Sequence, residues 1–121
     1  MAELTGIREA TDNLNQLLNQ IKGYTGKELK KIGLDLQGKA QRRAPVDTGD
    51  LRGSATTELI SHRGGHTVEV GFNKVYALVQ HEGLHFEHPR GGKAKYLEGP
   101  LLENTQKYFE FLKQSVEEAT K

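Results

Sequence analysis

Apolar positions recur three and four apart over residues 5–22, where Ile7, Ala10, Leu14, Leu17, Leu18 and Ile21 share a stripe and Asp12, Asn15, Gln16 and Asn19 fill the other faces. That period predicts an amphipathic helix. Gly23-Tyr24-Thr25-Gly26 interrupts it, and Thr25 followed three positions later by Glu28 has capping-box spacing for a second helix. Over residues 25–43 the next stripe is Leu29, Ile32, Leu36 and Ala40, with Gly33 beside it where a missing side chain lets another element approach closely. Pro45 has no amide proton and disfavours helical backbone at Ala44, so this helix is expected to end near Arg43.

Residues 42–53 are the corner at which the period changes. Asp47, Thr48, Gly49 and Asp50 supply turn chemistry: their side-chain oxygens accept nearby amide protons, and Gly49 is free to take φ > 0. Leu51, Gly53, Ala55, Thr57 and Leu59 then alternate with Arg52, Ser54, Thr56, Glu58 and Ile60, which predicts a strand beginning at Leu51. A turn at His62-Arg63-Gly64-Gly65-His66 leads to a second alternating run with Val68, Val70 and Phe72 inward, so the two form a β-hairpin. After Asn73-Lys74, Val75 to Gln80 is apolar on both faces and fits a buried strand or a short helix equally.

Residues 83–95 combine Gly, His, Pro and charge, and are expected to be a loop that is mobile in a free subunit and ordered against a neighbour. From Pro100, suited to a first helical turn, Leu101, Leu102, Thr105, Tyr108, Phe109, Leu112, Val116 and Ala119 form a continuous stripe. This predicts a long last helix whose Tyr108–Phe109 pair packs on the hairpin. The expected class is α+β: N-terminal helices, a small antiparallel sheet of hairpin plus crossing segment, and a long C-terminal helix packed on it, in one domain over residues 1–121.

Composition narrows the chemistry. The 121 residues are 35% hydrophobic and 7% aromatic, below the roughly half apolar content usual for a globular domain, so help from partner subunits is expected. Lys and Arg number 17 against 16 acidic residues, which provides no global field for nucleic acid or membrane. Cysteine is absent, removing disulfides and thiolate catalysis. No apolar run approaches bilayer length, and the expected place of synthesis is the cytoplasm, with no membrane partner.

His81-Glu82-Gly83-Leu84-His85 matches the H-E-x-x-H zinc pattern, with His88 nearby. The pattern works only on a helix, where spacing of four places both imidazoles on one face. Gly83 inside it and Pro89 after it oppose that helix. A small zinc-dependent hydrolase using His81, Glu82 and His85 is thus the alternative to a structural role. Ser54, Ser61 and Ser115 have no nucleophile setting, the Asp47/Asp50 pair reads as turn chemistry, and neither Gly64-Gly65 nor Gly91-Gly92 has a phosphate-loop context. No catalytic residue, metal or cofactor is assigned. Lys27, Lys30, Lys31, Lys39, Arg42 and Arg43 make the second helix basic, which keeps a nucleic-acid-binding module as a further alternative.

Ala44-Pro45-Val46-Asp47-Thr48-Gly49-Asp50-Leu51-Arg52-Gly53-Ser54 closely resembles the signature of a family of long-tailed bacteriophage neck proteins, called tail-completion, head–tail joining or minor capsid proteins. Tyr76-Ala77-Leu78-Val79-Gln80-His81-Glu82-Gly83 is similar to the family's second block, and Tyr96-Leu97-Glu98-Gly99-Pro100-Leu101-Leu102 extends the likeness into the last helix. The charged insert after Gly83, and Tyr96 to Pro100 where relatives often carry Pro-Phe-Leu, depart from it. The resemblance implies a virion or prophage structural protein, not an enzyme. It would assemble as a homo-oligomeric ring, with a hexamer expected, beside connector or stopper and tail-tube or terminator proteins, and DNA would cross the lumen only in transit. Pro45, Asp47, Thr48, Gly49, Asp50 and Leu51 are then the structural corner, and Leu84, Phe86, His88 and Arg90 the candidate assembly interface.

Overall fold

A computed structural model describes residues 6–44, 49–72, 75–81 and 95–119. Helix α1 spans Gly6–Leu18 and buries Ile7, Ala10, Leu14 and Leu18 at the spacings the sequence shows. Two polar residues share that face. Thr11 is satisfied locally, donating to the Ile7 carbonyl at 2.5 Å, whereas Asn15 donates its amide to the Leu78 carbonyl at 3.0 Å and ties the helix to a strand. The break that follows turns at Gly23, whose φ of 92° lies in the left-handed region where a Cβ is costly.

Helix α2, Gly26–Arg43, opens with the expected capping box. Thr25 Oγ1 accepts the Lys27 amide at 3.2 Å and Glu28 returns a carboxylate oxygen to the Thr25 amide at 3.0 Å. Two of the amide protons that a helix start leaves unbonded are thereby satisfied. Thr25→Ala is expected to lower stability by about 1 kcal/mol, read as a lower urea midpoint at unchanged slope. The helix also stops where expected: Ala44, before the proline, is extended at φ −65°, ψ 145°.

The strand foreseen from Leu51 begins later. Gly49–Gly53 is a short helix, α3, closed by Ser54 Oγ donating to the Leu51 carbonyl at 2.6 Å. Leu51 and Ala55 both pack on the core, and their spacing of four serves a helical turn as well as the alternation of two that predicted a strand. Gly49 opens this helix, where φ is negative.

Three antiparallel strands follow in sheet order β1-β2-β3: β1 Thr56–His62, β2 Gly65–Phe72 and β3 Val75–His81. Pairing of His62 with Gly65 leaves Arg63-Gly64 as a two-residue turn, tighter than the five-residue turn expected. Continuous pairing from Phe72↔Val75 to His66↔His81 resolves the ambiguous third run as a strand. Register places Thr57, Val70 and Ala77, then Leu59, Val68 and Val79, side by side on the inner face. Thr56, Gly71 and Tyr76, then Glu58, Glu69 and Leu78, line the outer face.

The last helix, α4, covers Lys95–Ala119 and starts one turn before Pro100, which sits inside it. A proline there forgoes one backbone hydrogen bond and strains the preceding turn. Burial of Leu97, Pro100 and Leu101 together opposes that cost. Of the expected stripe, Leu102 is instead 53% exposed and Ala119 is exposed. The packing of α4 also differs from expectation. Its chief neighbours are α1 and α2, and Tyr108 points to α2 rather than to the hairpin. The sheet is reached through Tyr96, whose ring meets Phe72 edge-on at 5.2 Å. The α+β class therefore holds as layers: the sheet, then α1 over β3 and α2 over β1 and β2, then α4 across both helices.

Gly33 sets the contact between α2 and the sheet. A Cβ there would lie 2.3 Å from Val68 Cγ1 and 2.9 Å from Thr57 Cγ2, so helix backbone rests directly on strand side chains. Thr57 also donates to the Gln37 side-chain oxygen, holding β1 to the same helix.

Candidate functional site

The sequence-derived candidates fall largely outside the described residues. Pro45, Asp47 and Thr48 do, as do Glu82, Leu84, His85, Phe86, His88 and Arg90. The corner that is described starts in α3, with Gly49 and Asp50 in its first turn and Leu51 half-buried against the core. Two bonds tie α3 back to the end of α2: Gln41 Nε2 donates to the Arg52 carbonyl at 3.1 Å, and Arg52 donates to the Ala44 carbonyl at 3.3 Å. The corner is thus braced by side chains that flank the Pro-to-Asp stretch.

His81, the first residue of the zinc pattern, ends strand β3. The pattern needs its first histidine on the same helix as its last, so the described backbone does not provide the required frame at His81. Of the other histidines, His66 Nδ1 lies 3.1 Å from Ser61 Oγ and His62 Nε2 lies 3.2 Å from Thr67 Oγ1. Among the described residues no group of three or more His, Asp or Glu gathers as metal ligands would.

The basic face of α2 is partly spent within the fold. Lys39 bonds Asp35 at 2.6 Å and Asn104 at 3.2 Å, and its ammonium stands 5.6 Å from the Tyr108 ring centre. Burial pushes the Asp35 carboxyl up, but hydrogen bonds from Lys39 and from Tyr108 at 2.8 Å, with the charges of Lys39 and Lys107, outweigh it and leave Asp35 below the usual range. Tyr108 is raised far above an ordinary phenol, by burial first and by the Asp35 carboxylate second, so it stays protonated as the donor. Arg43 forms a two-pronged ion pair with Glu103 on α4, one arm 3.0 Å long. That hydrogen bond lowers Glu103 and raises Arg43 from their ordinary values.

These contacts bound two depressions between α2 and α4. An open one of about 430 Å³ is lined by Lys39, Arg42, Arg43, Glu103 and Asn104. The other, about 220 Å³, has Ile32, Tyr108 and Phe111 as floor with Lys31, Asp35 and Lys107 at the rim. It is below the roughly 300–1,000 Å³ of small-molecule sites and fits a single side chain better than a substrate. On the far side of the molecule, Thr56, Glu58 and Ile60 expose the β1 half of the outer sheet face, with Ile60 42% accessible. Neither surface was foreseen from sequence, because the first joins residues from two helices far apart in the chain and the second depends on strand register.

Braced helices, an exposed sheet face and a side-chain-sized pocket offer contact surfaces, and neither hydroxyl–imidazole pair, Ser61–His66 or Thr67–His62, lines either depression. No described helix is long and apolar enough to cross a membrane. Compared with known families, residues 8–98 match a family model described as "Bacteriophage HK97-gp10, putative tail-component". No curated protein and no solved structure matches.

Proposed function

Because the chain belongs to the HK97-gp10-like family of bacteriophage tail components, we propose that it is a virion protein that assembles into a ring at the head–tail joint and completes the tail there. A hexamer is the expected order. Its neighbours are the connector or stopper on the head side and the tail-tube or terminator protein on the other, with DNA crossing the lumen only in transit. The subunits are made in the host cytoplasm and join the particle during assembly.

The observation that carries this reading is the match of the family over residues 8–98, more than half of the chain. Adhesion without turnover then requires surfaces, and the described fold has them. Strand β1 is a sheet edge whose side chains alternate out to solvent, and such edges bind neighbours by pairing or by packing. Leu34 and Leu102 stand about half exposed on α2 and α4, and exposed apolar residues of this size are common anchors of protein contacts. Leu84, Phe86, His88 and Arg90 are proposed as further contacts on the apolar and charged character of that stretch alone.

Negative-stain imaging of the purified protein, with sedimentation over a range of concentrations, tests the reading. Closed rings are expected. A protein that stays monomeric at millimolar concentration would contradict it.

A further inference from the structure

We propose that adjacent copies join head to tail by one specific pair of surfaces: Ile60 of one subunit, flanked by Glu58 and Glu69, enters the α2–α4 pocket of the next, rimmed by Lys31 and Lys107. This rests on the ring reading and adds the contact that would build it.

The first surface contains a local conflict. Glu58 and Glu69 stand directly opposite each other in the β1–β2 ladder on the outer face, and like charges at that spacing destabilise a sheet. Among the described residues neither carboxylate has an ion pair or hydrogen-bond partner. The fold therefore carries an uncompensated acidic pair beside Ile60, one of three large hydrophobic residues that stand substantially exposed among the described residues. An apolar knob with two carboxylates beside it is complementary to an apolar pocket with cations at its rim.

The second surface is such a pocket. Ile32, Tyr108 and Phe111 supply apolar walls, and the volume near 220 Å³ admits a side chain. Asp35, the one carboxylate on the rim, is already engaged by Lys39 and Tyr108. Glu28, which feels the charge of Lys31, is committed to the Thr25 cap. Lys31 and Lys107 make no ion pair among the described residues, so the rim is net cationic.

Layer order fixes the sense of the contact. The acidic knob lies on the outer face of the sheet and the pocket lies among the helices on its other side. Opposed, dissimilar patches make a heterologous contact, and repetition of it generates a ring when the rotation closes.

Reciprocal charge reversal tests the pairing. Glu58→Lys with Glu69→Lys, and separately Lys31→Glu with Lys107→Glu, should each raise the concentration for half-assembly at least about a hundredfold, since like charges would then face across the contact. Circular dichroism should show both folded, because all four sites are solvent-accessible and the first pair only exchanges one like-charge couple for another. Mixed in equal amounts, the two variants should assemble again as alternating copies, with every contact joining opposite charges. Ile60→Asp should block assembly by itself and should not be rescued by either variant. Wild-type rings with undisturbed assembly of both double variants would overturn this contact and leave the ring standing. Loss in each variant without recovery on mixing would overturn the specific pairing. A wild type that never associates would overturn the ring and the contact together.

Discussion

Deleting the gene from an inducible prophage is expected to yield DNA-filled heads and separate, full-length tails, with infectious particles lost. The family match makes this chain a tail component, and if it completes the joint as proposed, its absence removes the joint while leaving separately assembled heads and tails. Loss of a hydrolase would not by itself separate the two parts, so joined particles in the micrographs would distinguish that alternative. Supplying the gene in trans should restore joined particles. Leu84→Asp with Phe86→Asp should reproduce the deletion phenotype while the purified subunit keeps its melting transition, if those residues bind a neighbour as proposed. Electron microscopy of the lysate and plaque titre read the result, and normal infectious particles from the deletion would refute the neck assignment.

Gly33→Val is expected to be the most destabilising conservative substitution in α2, by about 3 kcal/mol, at the upper end of overpacking in a filled core. The added Cβ would fall 2.3 Å from Val68 Cγ1, and Val68 is itself fully buried. Neither side can retreat at low cost. Thr57 Oγ1 lies 3.5 Å from the Gly33 carbonyl and bonds Gln37, and Val68 is paired on both sides with Leu59 and Val79. Against a net stability of about 5–15 kcal/mol, such a loss should appear as a large drop in urea midpoint. Gly38→Ala is the control in the same helix. Its nearest foreign atom, Arg42 Nη1, lies 3.7 Å from the new Cβ, so the better helix propensity of alanine should leave stability equal or raise it by up to about 1 kcal/mol. Equal losses for both variants would mean that α2 does not rest on the sheet through Gly33.

The ends and faces of the first two helices could be read from sequence because each depends on residues a few positions apart. Thr25 with Glu28 specifies a start, Pro45 specifies a stop, and Gly33 marks a close approach, all by local stereochemistry. The alternation around Val68, Val70 and Phe72 likewise determines which face of β2 is buried. The phage family was legible in the corner motif at 44–54, a likeness that the match over residues 8–98 supports. Tertiary structure decided the rest. Leu51 and Ala55 satisfy helix and strand alike, and only contact with the core selects α3. Val75 to Gln80 is apolar on both faces, so its state depends on having β2 to pair with. Pro100 is carried inside α4 because burial of Leu97 and Leu101 against the other helices outweighs a local preference to start there. The opposition of Glu58 to Glu69 and the meeting of Lys31 with Lys107 are set by strand register and helix packing, and periodicity along the chain carries no information on which distant residues become neighbours.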